Sequence, residues 1–67
     1  MSYGEKLREL RGNRSQETVA EAVGVTKSAY AMYERNERVP RDEVKVRIAG
    51  YYGRPVGEIF FGECEHI

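Results

Sequence analysis

Four residues in the middle of the chain carry side chains that could bind the edges of DNA base pairs. They are a cation, a hydroxyl and two apolar residues: Lys27, Ser28, Ala31 and Met32. Lys27 could donate to guanine O6 and N7, Ser28 to several bases, and the Ala31 methyl could contact a thymine methyl. Met32 suits either a groove contact or packing on the sugar-phosphate edge. The alternative is a solvated helix face, but such a face usually carries Glu and Lys where Met and alanines stand here.

Two short helical patterns hold these residues, one on each side of Gly24. Ser15 is the expected N-cap of the first helix and Thr26 of the second, because their hydroxyls can accept bonds from the opening turns. Gly24 ends the first helix, since glycine adopts positive φ without a steric clash. The apolar residues fall at helical spacing on inward faces: Val19, Ala20, Val23, Tyr30 and Tyr33. This order predicts a helix-turn-helix motif.

The segment resembles the helix-turn-helix of the phage-repressor type, also called the Cro-like or xenobiotic-response-element family. The matching positions are Gln16, Ala20 and Gly24, together with an apolar set: Val19, Val23, Val25, Tyr30 and Tyr33. The resemblance extends from about Leu7 to Phe60 and implies an all-α, compact five-helix domain with the motif at helices 2 and 3. Tyr30 replaces a smaller aliphatic residue, and Asn36 replaces the glycine that usually ends the recognition helix. Asparagine also tolerates the left-handed conformation.

The rest of the chain predicts three more helices. Helix 1 spans Tyr3 to Arg11, and helix 4 spans about Asp42 to Tyr52. Helix 5 follows Gly53, with Val56, Ile59 and Phe60 directed inward. The predicted buried face of helix 4 comprises Val44, Ile48, Ala49, Tyr51 and Tyr52. We expect one domain over residues 1–62, followed by a short tail over residues 63–67.

Composition narrows the class of protein. The chain has 67 residues, enough for one small domain. It has one cysteine, so an internal disulfide is excluded, which fits a reducing cytoplasm. The sequence contains no apolar run long enough for a membrane span or a signal peptide, so we expect a soluble cytoplasmic protein.

The net charge is 0, yet the charges are unevenly distributed. Six of the 11 acidic residues lie at Glu37 or later. The basic residues concentrate in the first two thirds of the chain: Lys6, Arg8, Arg11, Arg14, Lys27, Arg35, Arg38 and Arg41. A locally basic face is therefore compatible with the neutral total.

The resemblance also implies phosphate contacts and an internal brace. In this family the residue at the position of Gln16 bonds a phosphate, and the helix N-terminus that carries it attracts anions. Further phosphate candidates, for which plain solubility is the alternative role, are Arg14, Thr26, Asn36, Arg38 and Arg41. The positions of Arg11 and Glu34 imply a structural ion pair between helix 1 and the end of helix 3. Such a pair would divert Arg11 from DNA.

Residues left over by the core suggest a dimer. Phe61 follows the inward patch of helix 5, Ile67 lies nearby in sequence, and Val46 is off the helix-4 stripe. A two-fold contact through this region would bury them isologously. Cys64 and His66 are too few for a closed metal site, although a dimer could assemble two of each. The chain also shows no evident acid–base pair for catalysis.

These patterns together favour a bacterial or phage regulator, a repressor that binds double-stranded DNA as a homodimer on an inverted repeat. The alternative is a helix-turn-helix module that binds a protein, such as a partner regulator or a toxin. We expect no enzyme activity, cofactor, metal, small-molecule ligand or membrane partner.

Overall fold

The computed structural model describes residues 2–61, and helices account for most of them. The elements are α1 (Tyr3–Arg11), α2 (Gln16–Val23), α3 (Lys27–Glu34), α4 (Asp42–Tyr52) and a short π-helical turn, α5 (Gly57–Phe61). No strand occurs in this range. The all-α, five-helix prediction is confirmed, and α1 and α4 have the predicted bounds. The proposed boundary at residue 62 lies outside the described residues.

The turns form for the local reasons that the sequence indicates. Ser15 Oγ accepts a hydrogen bond from the amide of Thr18, and Thr26 Oγ1 accepts one from Ala29, each at 3.0 Å. Gly24 has a φ of 79°, a left-handed conformation that ends α2 and turns the chain into α3. The predicted helix-turn-helix is therefore confirmed, with α2 packed against α3.

The start of α1 carries a cap that was not predicted from the sequence. Ser2 Oγ accepts from the amide of Glu5 at 3.3 Å, and Glu5 Oε1 accepts from the amide of Ser2 at 3.4 Å. This reciprocal pair is a capping box, whose Ser-x-x-Glu pattern was readable in the sequence. By contrast, Arg41 precedes α4 without a side-chain cap bond.

One hydrophobic core joins all five helices. Its buried members are Leu7, Val19, Ala20, Val23, Tyr30, Tyr33, Val44, Ile48, Ala49 and Ile59. The prediction that Tyr51 is buried was wrong, since this residue is 37% exposed. Lys45, and not Tyr51, is buried on this face of α4. Lys45 is only 8% exposed, and its ammonium lies 5.7 Å from the centre of the Phe60 ring. The buried arc of α4 is centred near Ile48 and extends towards Lys45, so Tyr51 falls at its opposite edge.

The unusual tyrosine in α3 has a specific partner in α4. Tyr30 is fully buried, and its hydroxyl lies 2.7 Å from the hydroxyl of Tyr52. Burial raises the pKa of both hydroxyls above the usual tyrosine value. The two groups therefore stay neutral and hydrogen-bonded at physiological pH, which is how the core accommodates a polar atom at this position.

Within residues 2–61, no helix is long and apolar enough to cross a membrane.

Candidate nucleic-acid interface

The start of α3 presents two of the four predicted base-contact residues to solvent. Lys27 and Ser28 are exposed in the first turn of the helix. Met32, one turn further along, is partly buried. The Lys27 cation and the Ser28 hydroxyl are thus free to contact a DNA groove. Both residues lie at the end of α3 that adjoins the turn of the helix-turn-helix.

Ala31 does not belong to the exposed face, so the prediction that it remains unburied was wrong. The residue is only 9% exposed. Helix α3 packs against both α1 and α2, and its buried face therefore covers adjacent positions: Tyr30, Ala31, Tyr33 and Glu34. The sequence pattern assigned the helix a narrower apolar stripe. Ala31 is accordingly a weaker candidate for a thymine contact than Lys27 or Ser28.

The predicted ion pair between α1 and α3 is confirmed. Arg11 Nε lies 2.7 Å from Glu34 Oε2, and Arg11 Nη2 lies 3.2 Å from Oε1. The Glu34 side chain is 1% exposed, and its hydrogen bond raises the pKa of the Arg11 guanidinium. Arg8 adds a bond of 2.7 Å from Nη1 to the Glu34 carbonyl oxygen. This cluster fixes the C-terminal end of α3 on α1.

Gln16 also binds Glu34, a contact that the sequence did not indicate. Its Nε2 donates to Glu34 Oε1 at 2.9 Å, and the side chain is partly buried. One amide proton is therefore committed to the internal brace. A phosphate contact by Gln16 remains a prediction, and it would have to use the second amide proton or the backbone amide at the start of α2.

Two further phosphate candidates hold parts of the domain together. Asn36 has a φ of 61°, as predicted for a left-handed cap. Its Oδ1 accepts from the amide of Gly4 at 3.1 Å, and its Nδ2 donates to Ser2 Oγ at 3.1 Å. Arg14 lies over the rings of Tyr51 and Tyr52, at 5.3 and 5.6 Å from their centres. Both residues are exposed but already have partners within the domain.

The domain surface has a groove of about 390 Å³. Arg38 and Arg41 are exposed in its lining, and the exposed Thr26 follows the lining residue Val25 in the chain. Arg38 and Arg41 line the groove together with Arg47 of α4, and the helix-turn-helix turn contributes Gly24 and Val25 to its lining. We call this feature the arginine groove. Arg47 was not singled out from the sequence, because its position in α4 reads as an ordinary solvated one.

Of the three predicted dimer residues, the structure describes only Val46 in full. Val46 is 59% exposed, as its position off the helix-4 stripe predicts. The side chain of Phe61 and all of Ile67 lie outside what the structure describes, as do Cys64 and His66. Within residues 2–61, no group of His, Cys, Asp and Glu side chains could hold a metal ion.

Comparison with known proteins decides the family. The sequence profile of the helix-turn-helix family matches residues 5–59, which cover most of α1, all of α2 to α4 and the start of α5. The chain belongs to the Cro/phage-repressor type of helix-turn-helix proteins. This is a family of DNA-binding regulators and not an enzyme family.

A curated relative is the cryptic phage CTXphi transcriptional repressor RstR of Vibrio cholerae, which is 37% identical over 59 residues. The alignment covers 85% of this chain and 53% of that protein, so the chain spans about half the length of the relative. No solved structure matches the chain significantly.

Proposed function

We propose that this chain is a transcriptional repressor that binds double-stranded DNA with α3 in the major groove. The observation that carries the proposal is the exposure of Lys27 and Ser28 at the start of α3, within a confirmed helix-turn-helix. In this motif the N-terminal residues of the second helix contact base edges. The similarity to a phage transcriptional repressor supports repression as the outcome of binding.

The brace beneath α3 supports the same function. Base readout requires a helix held in a fixed orientation, since a displaced donor loses its hydrogen bond. Arg11, Gln16 and Arg8 all converge on Glu34 at the C-terminal end of α3. The N-terminal end is fixed by the Thr26 cap. These contacts leave the exposed face of α3 free of internal bonds while both ends are anchored.

We further propose that the regulator binds an inverted repeat as a homodimer through its C-terminal region. One recognition helix contacts too few base pairs for useful specificity, and two-fold symmetry would place two helices about 34 Å apart. Val46 supplies exposed apolar surface for such a contact. Phe61 and Ile67 complete the proposed surface from their sequence positions alone.

The experiment that tests the function is selection of bound sequences from a random duplex pool, combined with solution mass in the presence and absence of DNA. We expect a two-fold symmetric consensus and two chains per duplex. If no sequence were enriched and duplex binding did not respond to salt, the alternative role in binding a partner protein would be favoured. The 61% exposure of Val39 is the surface feature that suits that alternative.

Lys27→Ala should weaken binding to the selected sequence by about 1–3 kcal/mol and relax the preference at one or two base pairs. The lysine ammonium is lost from the base edge while the cap at Thr26 is retained. Ser28→Ala should act similarly at a neighbouring base pair. Arg38→Ala is the matched control, since a lost phosphate contact weakens all sequences about equally. If Lys27→Ala left both affinity and base preference unchanged, the placement of α3 in the major groove would be wrong.

Val46→Glu should abolish cooperative binding to a duplex with two half-sites while leaving the melting temperature nearly unchanged. The reason is that a charge in an isologous contact faces its own copy, whereas an exposed side chain contributes little to the monomer fold. Gel-shift titrations on one-site and two-site duplexes measure this effect. Cooperative binding by both Val46→Glu and Phe61→Glu would place the dimer contact elsewhere.

A further inference from the structure

The arginines of this chain divide into two groups by their contacts. The side chains of five of the eight arginines have partners within the domain: Arg8, Arg11, Arg14, Arg35 and Arg54. Within residues 2–61, the other three make no side-chain hydrogen bond or ion pair. These three are Arg38, Arg41 and Arg47, and all of them line the arginine groove.

Arg47 reaches this groove from a different element than the other two. Arg38 and Arg41 belong to the loop between α3 and α4, whereas Arg47 lies in the second turn of α4. Its guanidinium carbon lies 3.9 Å from where a Cβ on Gly24 would be. Gly24 is separated from Lys27, the first residue of α3, by two residues only. The guanidinium is therefore placed beside the end of α3 that carries the exposed cation and hydroxyl.

The electrostatics of the groove favour an anion. The residues that line it include three arginines and one acidic residue, Glu43. Arg41 also occupies the N-cap of α4 without a side-chain cap bond, at the positive end of the helix dipole. A cation at that position is unfavourable for the isolated helix, and a bound anion would reverse this cost.

We propose that the arginine groove binds the sugar-phosphate backbone of DNA, and that Arg47 of α4 is one of its phosphate contacts. This inference rests on the proposed DNA binding and adds to it a contact outside the helix-turn-helix and the loop after it. Arg47 links the backbone strand to the turn before α3, so it fixes the depth at which α3 enters the groove. Its contribution is independent of sequence, since a phosphate carries no base identity.

The test is the salt dependence of binding to a random-sequence DNA duplex. Loss of one neutralised phosphate in Arg47→Gln should lower the slope of log affinity against log salt by about 0.9. Arg47→Lys retains the charge and should preserve most of the slope. Arg54→Gln is the matched control, because Arg54 is paired with Glu58 at 3.1 Å outside the groove and should leave the slope unchanged. Glu43→Gln removes the groove carboxylate and should strengthen binding.

The possible outcomes separate a failure of the proposed function from a failure of this inference. A wild-type protein without salt-sensitive duplex binding would defeat the proposed function itself. A wild type that binds duplex with an unchanged slope in Arg47→Gln would overturn this inference alone, and a lower melting temperature in that variant would show that Arg47 only stabilises the turn at Gly24. Binding of poly-glutamate but not of duplex, lost in Arg47→Gln, would assign the groove to an acidic protein segment and also overturn the proposal.

Discussion

Glu34→Ala should lower the free energy of unfolding by about 3 kcal/mol, because it leaves a partly buried arginine without its counter-ion. The Glu34 carboxylate accepts from Arg11 at 2.7 and 3.2 Å and from Gln16 at 2.9 Å. Alanine also leaves a cavity at a site that is 1% exposed. A carboxylate near the end of α3 opposes the helix dipole, but relief of that term is worth only about 0.3–1 kcal/mol. Urea unfolding measures the difference.

Glu37→Ala is the matched control for this prediction. Glu37 pairs with Arg35 at 3.1 Å, but both side chains are more than half exposed. Loss of an exposed pair should cost less than about 1 kcal/mol. A double-mutant cycle of Glu34→Ala with Arg11→Ala isolates the interaction. If the effects of the two single substitutions simply add, the pair does not stabilise the domain and the brace beneath α3 has another origin.

Gly4→Ala should destabilise the domain by about 2 kcal/mol through overpacking. A Cβ at Gly4 would overlap the backbone carbonyl oxygen of Glu34 and lie 2.9 Å from the Asn36 side-chain amide. Relief requires α1 to separate from the end of α3, which would stretch the 2.7 Å bond from Arg8 to Glu34 and the 3.1 Å bond from Gly4 to Asn36. The higher helix propensity of alanine returns at most about 1 kcal/mol. Thermal or urea unfolding reports the net change.

Gly50→Ala provides a control of opposite sign. Gly50 is exposed in α4, and nothing lies within 4 Å of where its Cβ would be. Alanine should therefore stabilise this helix by about 0.5–1 kcal/mol. If Gly4→Ala stabilised the domain as Gly50→Ala does, the close approach between α1 and α3 would carry no energetic weight.

Local sequence signals were sufficient for the bounds of α1 and α4 and for the ends of the two helices of the motif. Ser15 and Thr26 cap the two helices of the motif, because a cap requires only a hydroxyl and an amide three residues later. Gly24 and Asn36 adopt the positive φ angles expected of them. The predicted brace between Arg11 and Glu34 came from family position and not from spacing, since 23 residues separate the two.

Tertiary packing decided the features that local patterns do not encode. Ala31 is buried because α3 contacts two helices at once, and Gln16 turns to Glu34 because folding brings together residues that are 18 apart. The same holds for Gly4, whose role depends on a carbonyl group in α3, and for the arginine groove, which α4 and the turn at Gly24 form only when packed together. The sequence alone determined most of the helix boundaries, since capping and periodicity act over a few residues, and its motif residues showed the resemblance to the family. Within residues 2–61, the arginines without a side-chain hydrogen bond or ion pair could be identified only once the contacts of the other five were known from the fold.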